Sequence, residues 1–147
     1  MQHYGICARG GRRLRVPTTD RRHSLPIAPN LPNRNFTVAA PNQAWTGHIT
    51  YIPTSEGWLF MAEVIDLFSR RVVGWSMPLE MRSSLVIDVL EMAWLRRSPD
   101  KSAGRIFHSN RGSQRASHEF AQVVQKCGIT ASMSRRGNFW DYYVYSW

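Results

Sequence analysis

Chemistry in a folded chain often gathers where a buried strand ends in a polar turn, and "IFHSNRGSQRAS", Ile106–Ser117, has that form. A short apolar run leads into a turn containing Gly112, and a helical pattern follows. The side chain at such a strand end is often a carboxylate that holds a metal; here it is Asn110. Other reactive groups are scattered. His48, His108 and His118 match no standard zinc spacing, and a histidine near a strand end is usually a hydrogen-bonded structural residue. Ser109 and Ser113 stand near His108 without the glycines of a nucleophile elbow. Neither a zinc centre nor a serine hydrolase is expected.

Those residues need a scaffold, and composition bounds it. A chain of 147 residues can bury a real core as one domain, and its 43% hydrophobic content is ordinary. The net charge of +9 points to an acidic partner. Residues 1–43 hold seven Arg against one acid, Asp20, and "GGRRLRVPTTDRRHSLPIAPNLPNRNF" is rich in proline without a sustained period. This segment reads as a basic, Pro-rich arm or linker in extended or polyproline-like chain, either solvated or touching a phosphate backbone. The core is expected over 44–147. Two distant cysteines, Cys7 and Cys127, argue against a disulfide framework. No apolar run reaches the length of a membrane span, and Pro17, Pro26, Pro29 and Pro32 break any amphipathic presequence helix. A cytoplasmic location and no membrane partner are expected.

From Ala44 the pattern changes. "AWTGHITYI" alternates as a strand ending at Pro53, "TSEG" is a turn, "WLFMAEVIDLFS" reads as a buried strand and "RRVVGWSM" as a third, giving an antiparallel meander. "SSLVIDVLEMAWLRR" is a helix with Val86, Val89, Leu90, Ala93 and Trp94 on its apolar stripe and Arg96 and Arg97 at its negative end. "RIFHS" is a fourth strand. "SHEFAQVVQKCG" is a helix capped by Ser117 and closed by Gly128, with Phe120, Val123, Val124 and Cys127 inward. "ITASMS" is a fifth strand, and "RRGNFWDYYVYSW" begins a third helix. The order implies an α/β mixed sheet, a three-strand meander followed by alternating helices and strands. Trp45, Trp58, Trp75 and Trp94 are expected in the core, whereas Trp140 and Trp147 are open to exposure.

That order is the core of the ribonuclease H-like fold. "APNQAWTGHITYIPTSEGWLFMAEVIDLFSRRVVGWSM", "HSNRGSQRASHEF" and "SMSRRGNFWD" resemble the catalytic core of bacterial insertion-sequence transposases of the DDE type, with a retroviral-integrase-like core. The resemblance runs over nearly the whole chain and implies metal-assisted phosphoryl transfer on DNA, in which two Mg²⁺ ions held by two Asp and one Glu activate the attacking oxygen and stabilise the leaving one. It places the three carboxylates at His48, Asn110 and Ser146, or Tyr145 with a one-residue shift, and none of these is acidic. Asp66 is implied to be a supporting residue near the sheet, Glu63 to face away from Val64, and Asp141 to lie more than a turn from the catalytic face; none is expected to substitute. Mg²⁺ is the cofactor implied for intact relatives, and no bound cofactor is expected here.

The resemblance makes DNA the first partner, bound weakly and without sequence preference, with Arg70, Arg71, Arg111, Arg135 and Arg136 as phosphate contacts. A full-length transposase is a second partner it allows, no small-molecule substrate is expected, and the location implied is the bacterial nucleoid. It also implies a longer final helix, so the core is expected to be C-terminally truncated. Three readings follow: an inactive, degenerate transposase core; a non-catalytic inhibitor binding DNA or an intact transposase; and an active strand-transfer enzyme with unusual ligands.

Overall fold

The computed structural model describes residues 24–32, 35, 37–80, 82, 84–100, 104–112 and 117–135. Five strands and two helices follow in the order β1 (Ala44–Thr54), β2 (Gly57–Asp66), β3 (Val72–Ser76), α1 (Leu85–Arg97), β4 (Arg105–Ser109), α2 (His118–Lys126) and β5 (Ile129–Met133). They form one sheet ordered β3-β2-β1-β4-β5. The meander pairs antiparallel, while β1–β4 and β4–β5 pair parallel, as expected of short hairpin turns and longer helical crossovers. Residues 135–147, read as the start of a third helix, lie outside the described residues except Arg135, so Ser146, Tyr145, Arg136, Asp141, Trp140 and Trp147 do too.

The sheet has two different faces. On one, Trp45, Gly47 and Ile49 of β1 align with Asp66, Val64 and Ala62 of β2 and, through Trp45, with Phe107 of β4. Both helices pack on this face. Gly74 of β3 lies so close to α1 that an added Cβ would fall well inside van der Waals distance of the Val89 carbonyl oxygen. Phe120 of α2 meets Phe107 with ring centroids 5.6 Å apart. Val86, Val89, Leu90 and Ala93 are buried, as their helical spacing requires, and Trp94 packs against them half-buried. Ser117 caps α2 by accepting from the Phe120 N–H at 3.2 Å, and Gly128 ends it at φ 66°.

Three expectations fail for physical reasons. β1 runs past Pro53 to Thr54, because β4 pairs with β1 only over Ala44–Thr46, so the missing N–H of Pro53 breaks no strand ladder on that side. Trp58 and Trp75 are not core: they are 42% and 43% exposed. Trp58 sits beside the β1–β2 turn, and Trp75 is on β3, the edge strand, on the face opposite Gly74. The apolar run "LFS" leaves the strand at Asp66 and turns, exposing Phe68.

Chain before β1 also lies against the core. Met133 N–H donates to the Pro29 carbonyl at 3.3 Å, and Leu31 N–H donates to Ser132 Oγ at 3.0 Å. Val38, like Ile106, packs on Ala44 and Leu67. Asp66, fully buried, holds the end of this strap: its carboxylate accepts from the Asn42 N–H at 2.9 Å and from the Ser69 N–H and hydroxyl at 3.2 and 2.5 Å. The supporting role expected of Asp66 therefore has a definite form, joining strap, β2 and the β2–β3 turn. Beside it the Arg105 guanidinium, on a side chain 2% exposed, lies between the Trp45 and Trp94 rings at 5.2 and 5.3 Å.

Candidate functional site

The site is built by strand register. Parallel pairing puts Thr46 beside His108; two residues further along each strand come His48 and, just past the end of β4, Asn110. Alternation turns His48 and Thr46 to the face opposite the helices. The antiparallel register then sets Glu63 directly across from His48, and Trp75 across from Glu63. A transverse row thus runs from Asn110, just past β4, across His48, Glu63 and Trp75 on three strands.

Two of the three positions implied for carboxylates come together in this row, as an imidazole and an amide. The third, Ser146, lies outside the described residues. Glu63 faces away from the helix-covered side that holds Val64, as expected, and this puts it beside His48. Sequence reading missed that adjacency. The signal was the two-residue loop Ser55–Glu56, which closes the hairpin at Thr54–Gly57 and fixes every pair beyond it. Burial pushes the Glu63 carboxyl above its ordinary value.

Asn110 shapes the turn that follows it, its Oδ1 accepting from the Gly112 N–H at 3.1 Å. Ser109 Oγ donates to the Asn110 carbonyl at 3.2 Å. His108 is fully buried, with Nδ1 3.0 Å from Ser132 Oγ, the hydroxyl that also accepts from Leu31. It is the hydrogen-bonded core histidine the sequence suggested. His118 is exposed at the start of α2, and among the described residues no group of three or more His, Cys, Asp and Glu could hold a metal.

Would this row suit two Mg²⁺ ions? Mg²⁺ prefers hard oxygen ligands, and closely spaced ions need anionic charge between them. The row offers one carboxylate, one amide oxygen and one imidazole nitrogen, a donor more typical of zinc than of magnesium. The residues present do not fit the pair of ions.

Of the five arginines expected at phosphate, the four described ones separate into two groups. Arg70 and Arg71 are exposed in the β2–β3 turn, at the amino end of β1, where Asp66 accepts the Arg70 N–H through its carbonyl. Arg111 and Arg135 follow the carboxyl ends of β4 and β5, beside Asn110. Arg111 Nε donates to the Ser134 carbonyl at 2.6 Å, and the Ser134 N–H to the Ser109 carbonyl at 2.9 Å, so the two strand ends are tied together. Arg136 lies outside the described residues.

A meander extended by parallel strands, with helices on one face and a polar row crossing the other, defines a ribonuclease H-like core. Its sequence carries the integrase core domain over residues 38–139, and the chain belongs to that family. The transposase InsF of insertion sequence IS3A from Escherichia coli K12 is 39% identical over 141 residues, 96% of this chain and 48% of that protein. A 31 kDa protein of insertion element IS600 from Shigella sonnei is 41% identical over 124 residues, 84% of this chain and 45% of its own length. The chain therefore spans about half the length of these curated relatives. Among solved structures, the simian T-cell lymphotropic virus intasome aligns with a TM-score of 0.61 at 20% identity, over 82% of this chain and 40% of that one. The HTLV-2 integrase catalytic core, solved in complex with magnesium, aligns at 0.55 and 20% identity, over 63% and 61% of the two chains. No helix among the described residues is long and apolar enough to cross a membrane.

Proposed function

We infer that this chain is a transposase core that keeps its fold and its affinity for DNA but does not carry out strand transfer. The observation that carries the reading is the row Asn110–His48–Glu63: one carboxylate where the two-ion mechanism needs several. With so little negative charge, the row would not hold the ions that would lower a hydroxyl nucleophile's pKa and offset the charge on the phosphodiester, so neither nicking nor joining is supported. DNA remains the partner, bound through phosphate contacts and hence without sequence preference, which would place the protein at the nucleoid.

The test is a nicking and strand-transfer assay on the purified chain with Mg²⁺ and, separately, Mn²⁺. No product is expected with either metal. Metal-dependent nicking that disappears in His48→Ala would overturn the reading and favour an active enzyme with unusual ligands. A set of reversions, His48→Asp, Asn110→Asp and Ser146→Glu, asks whether the scaffold still supports chemistry.

A second reading, an inhibitor that associates with an intact transposase, is favoured by large apolar side chains left on the surface, Leu79 at 80%, Leu95 at 75% and Trp75 at 43% exposed. Transposition frequency measured with and without the chain decides it. An unchanged frequency and no co-purification with the intact enzyme remove it.

A further inference from the structure

Among the described residues, four buried side-chain polar atoms have no hydrogen-bond partner: Asn42 Oδ1, Trp45 Nε1, Thr46 Oγ1 and Arg105 Nη1. Thr46 faces the side of the sheet opposite the helices. The other three belong together, because Arg105 touches both of its companions. Arg105 Nε donates to the Asn42 carbonyl, and the guanidinium lies 5.2 Å from the centre of the Trp45 ring. The three stand at the amino ends of β1 and β4, beside Trp94 of α1.

The direct bonds leave a remainder. Arg105 Nη2 donates to the Asp100 carbonyl at 3.4 Å, so Nε and Nη2 are both used and Nη1 is left over on a side chain 2% exposed. Trp45 is 0% exposed, so bulk water does not reach its indole N–H. A buried donor without an acceptor costs free energy comparable to a lost hydrogen bond, and native proteins rarely leave one. Neither ring sits squarely on the guanidinium: the centroids are 5.2 and 5.3 Å away, against about 3.5–4.0 Å for carbon atoms in contact. Whatever completes this joint must accept two hydrogen bonds and donate one. An anion cannot donate to Asn42 Oδ1. Burial pulls the Arg105 guanidinium below its ordinary value while Asp100, Cys127 and Asp66 act against that pull, and the two carboxylates also disfavour an added anion. A water molecule both accepts and donates, and a buried water typically makes about three hydrogen bonds.

We propose that a single buried water molecule binds between Asn42, Trp45 and Arg105, accepting from Arg105 Nη1 and Trp45 Nε1 and donating to Asn42 Oδ1. It joins the end of the strap, β1 and β4 at the point where Asp66 already holds the Asn42 N–H. The attachment of the strap to the sheet thereby includes a solvent molecule as a structural part. This site is independent of the DNA-binding reading.

The full-length chain, labelled with nitrogen-15, is observed by NMR at the Trp45 indole N–H, assigned by sequential resonance correlation. Cross-relaxation with water is expected there, with the sign of a water molecule that tumbles with the protein. Asn42→Gly removes Oδ1 and suits the backbone, since Asn42 has φ 61°, a conformation glycine adopts freely. The water cross-peak is expected to be lost in this variant and unchanged in Thr46→Val, which removes the unpaired hydroxyl on the other face. A parent chain without the cross-peak overturns the assignment, as does a folded Asn42→Gly that keeps it undiminished. A crystal structure of the parent chain at a resolution that shows ordered water needs no variant. One water oxygen within about 2.7–3.2 Å of all three atoms is expected. A protein acceptor on Nη1, or a bromide ion located there by anomalous scattering, overturns the proposal.

Discussion

Placing acids in the row should make the protein's stability depend on magnesium. In the variant His48→Asp/Asn110→Asp, the new carboxylate at position 48 stands directly across from Glu63, with the one at position 110 on its other side. Directly opposed side chains have Cβ atoms about 5 Å apart, and two unit charges at that distance repel by about 3 kcal/mol at an effective dielectric near 20. Glu63 is only half-buried, so solvent reduces this to about 1–2 kcal/mol. For a chain of this size that corresponds to about 2–8 °C in melting temperature. A cation bound only by the folded state returns about 2.7 kcal/mol at a hundredfold excess over its dissociation constant, enough to reverse the loss. The assay is a thermal melt of parent and variant with EDTA, then with increasing MgCl₂. The variant is expected to melt below the parent in EDTA and to climb with magnesium, while the parent stays level. Two results would refute the reasoning. A parent that climbs equally already holds the ion without those acids, and a variant indifferent to both conditions does not have positions 48, 63 and 110 side by side.

Other expectations test the scaffold. Gly74→Ala drives a Cβ into a backbone oxygen of α1, so helix and β3 must separate; a loss of about 3 kcal/mol in urea unfolding is expected, and a loss below about 1 kcal/mol argues against this close approach. Asp66→Ala leaves the buried N–H groups of Asn42 and Ser69 without their acceptor and should remove about 3 kcal/mol, with Ser69→Ala far milder in the same denaturation series. Glu63 has a folded pKa raised above 4.5, so the stability tied to its proton is fully present below about pH 4.5 and is lost as pH rises through the raised value. Glu63→Gln should therefore melt like the parent in acid and above it near neutrality; a gap that narrows toward neutral pH contradicts the assigned direction.

Much of this architecture could be read from spacing. The stripes Val86–Val89–Leu90–Ala93 and Phe120–Val124 announced both helices, because a 3.6-residue period has no other use in a packed core. Ser117 and Gly128 marked the ends of α2 through their backbone chemistry. What escaped was information held between segments. Trp58 and Trp75 carry the apolar character of core residues, yet a turn and an edge strand leave them exposed, and edge position is a property of strand order. The proximity of Glu63 to His48 is likewise a matter of register. The prolines near Pro29 read as extended linker, solvated or touching a phosphate backbone, and nothing local indicates that the Pro29 carbonyl meets an amide of β5. The non-acidic types of His48 and Asn110 are plain in the sequence; their sharing one row with the single carboxylate of Glu63 required the sheet.

The strap also bears on the order in which the molecule assembles. Leu31 and Ser132 are 101 residues apart, so their bond closes nearly the whole described chain into a ring. Hairpin β1–β2 needs only a two-residue loop and can form early, whereas ring closure is available only after β4 and β5 are laid down. The first contacts to open under native conditions should be the last ones made. The amides of Leu31 and Met133 should then exchange with solvent ahead of those in β1, freeing the stretch around Pro29–Leu31 from β5 while the sheet remains folded. A protease that cuts within residues 24–32 would act on this partly opened form, and its rate would report the strap's closing equilibrium independently of global unfolding.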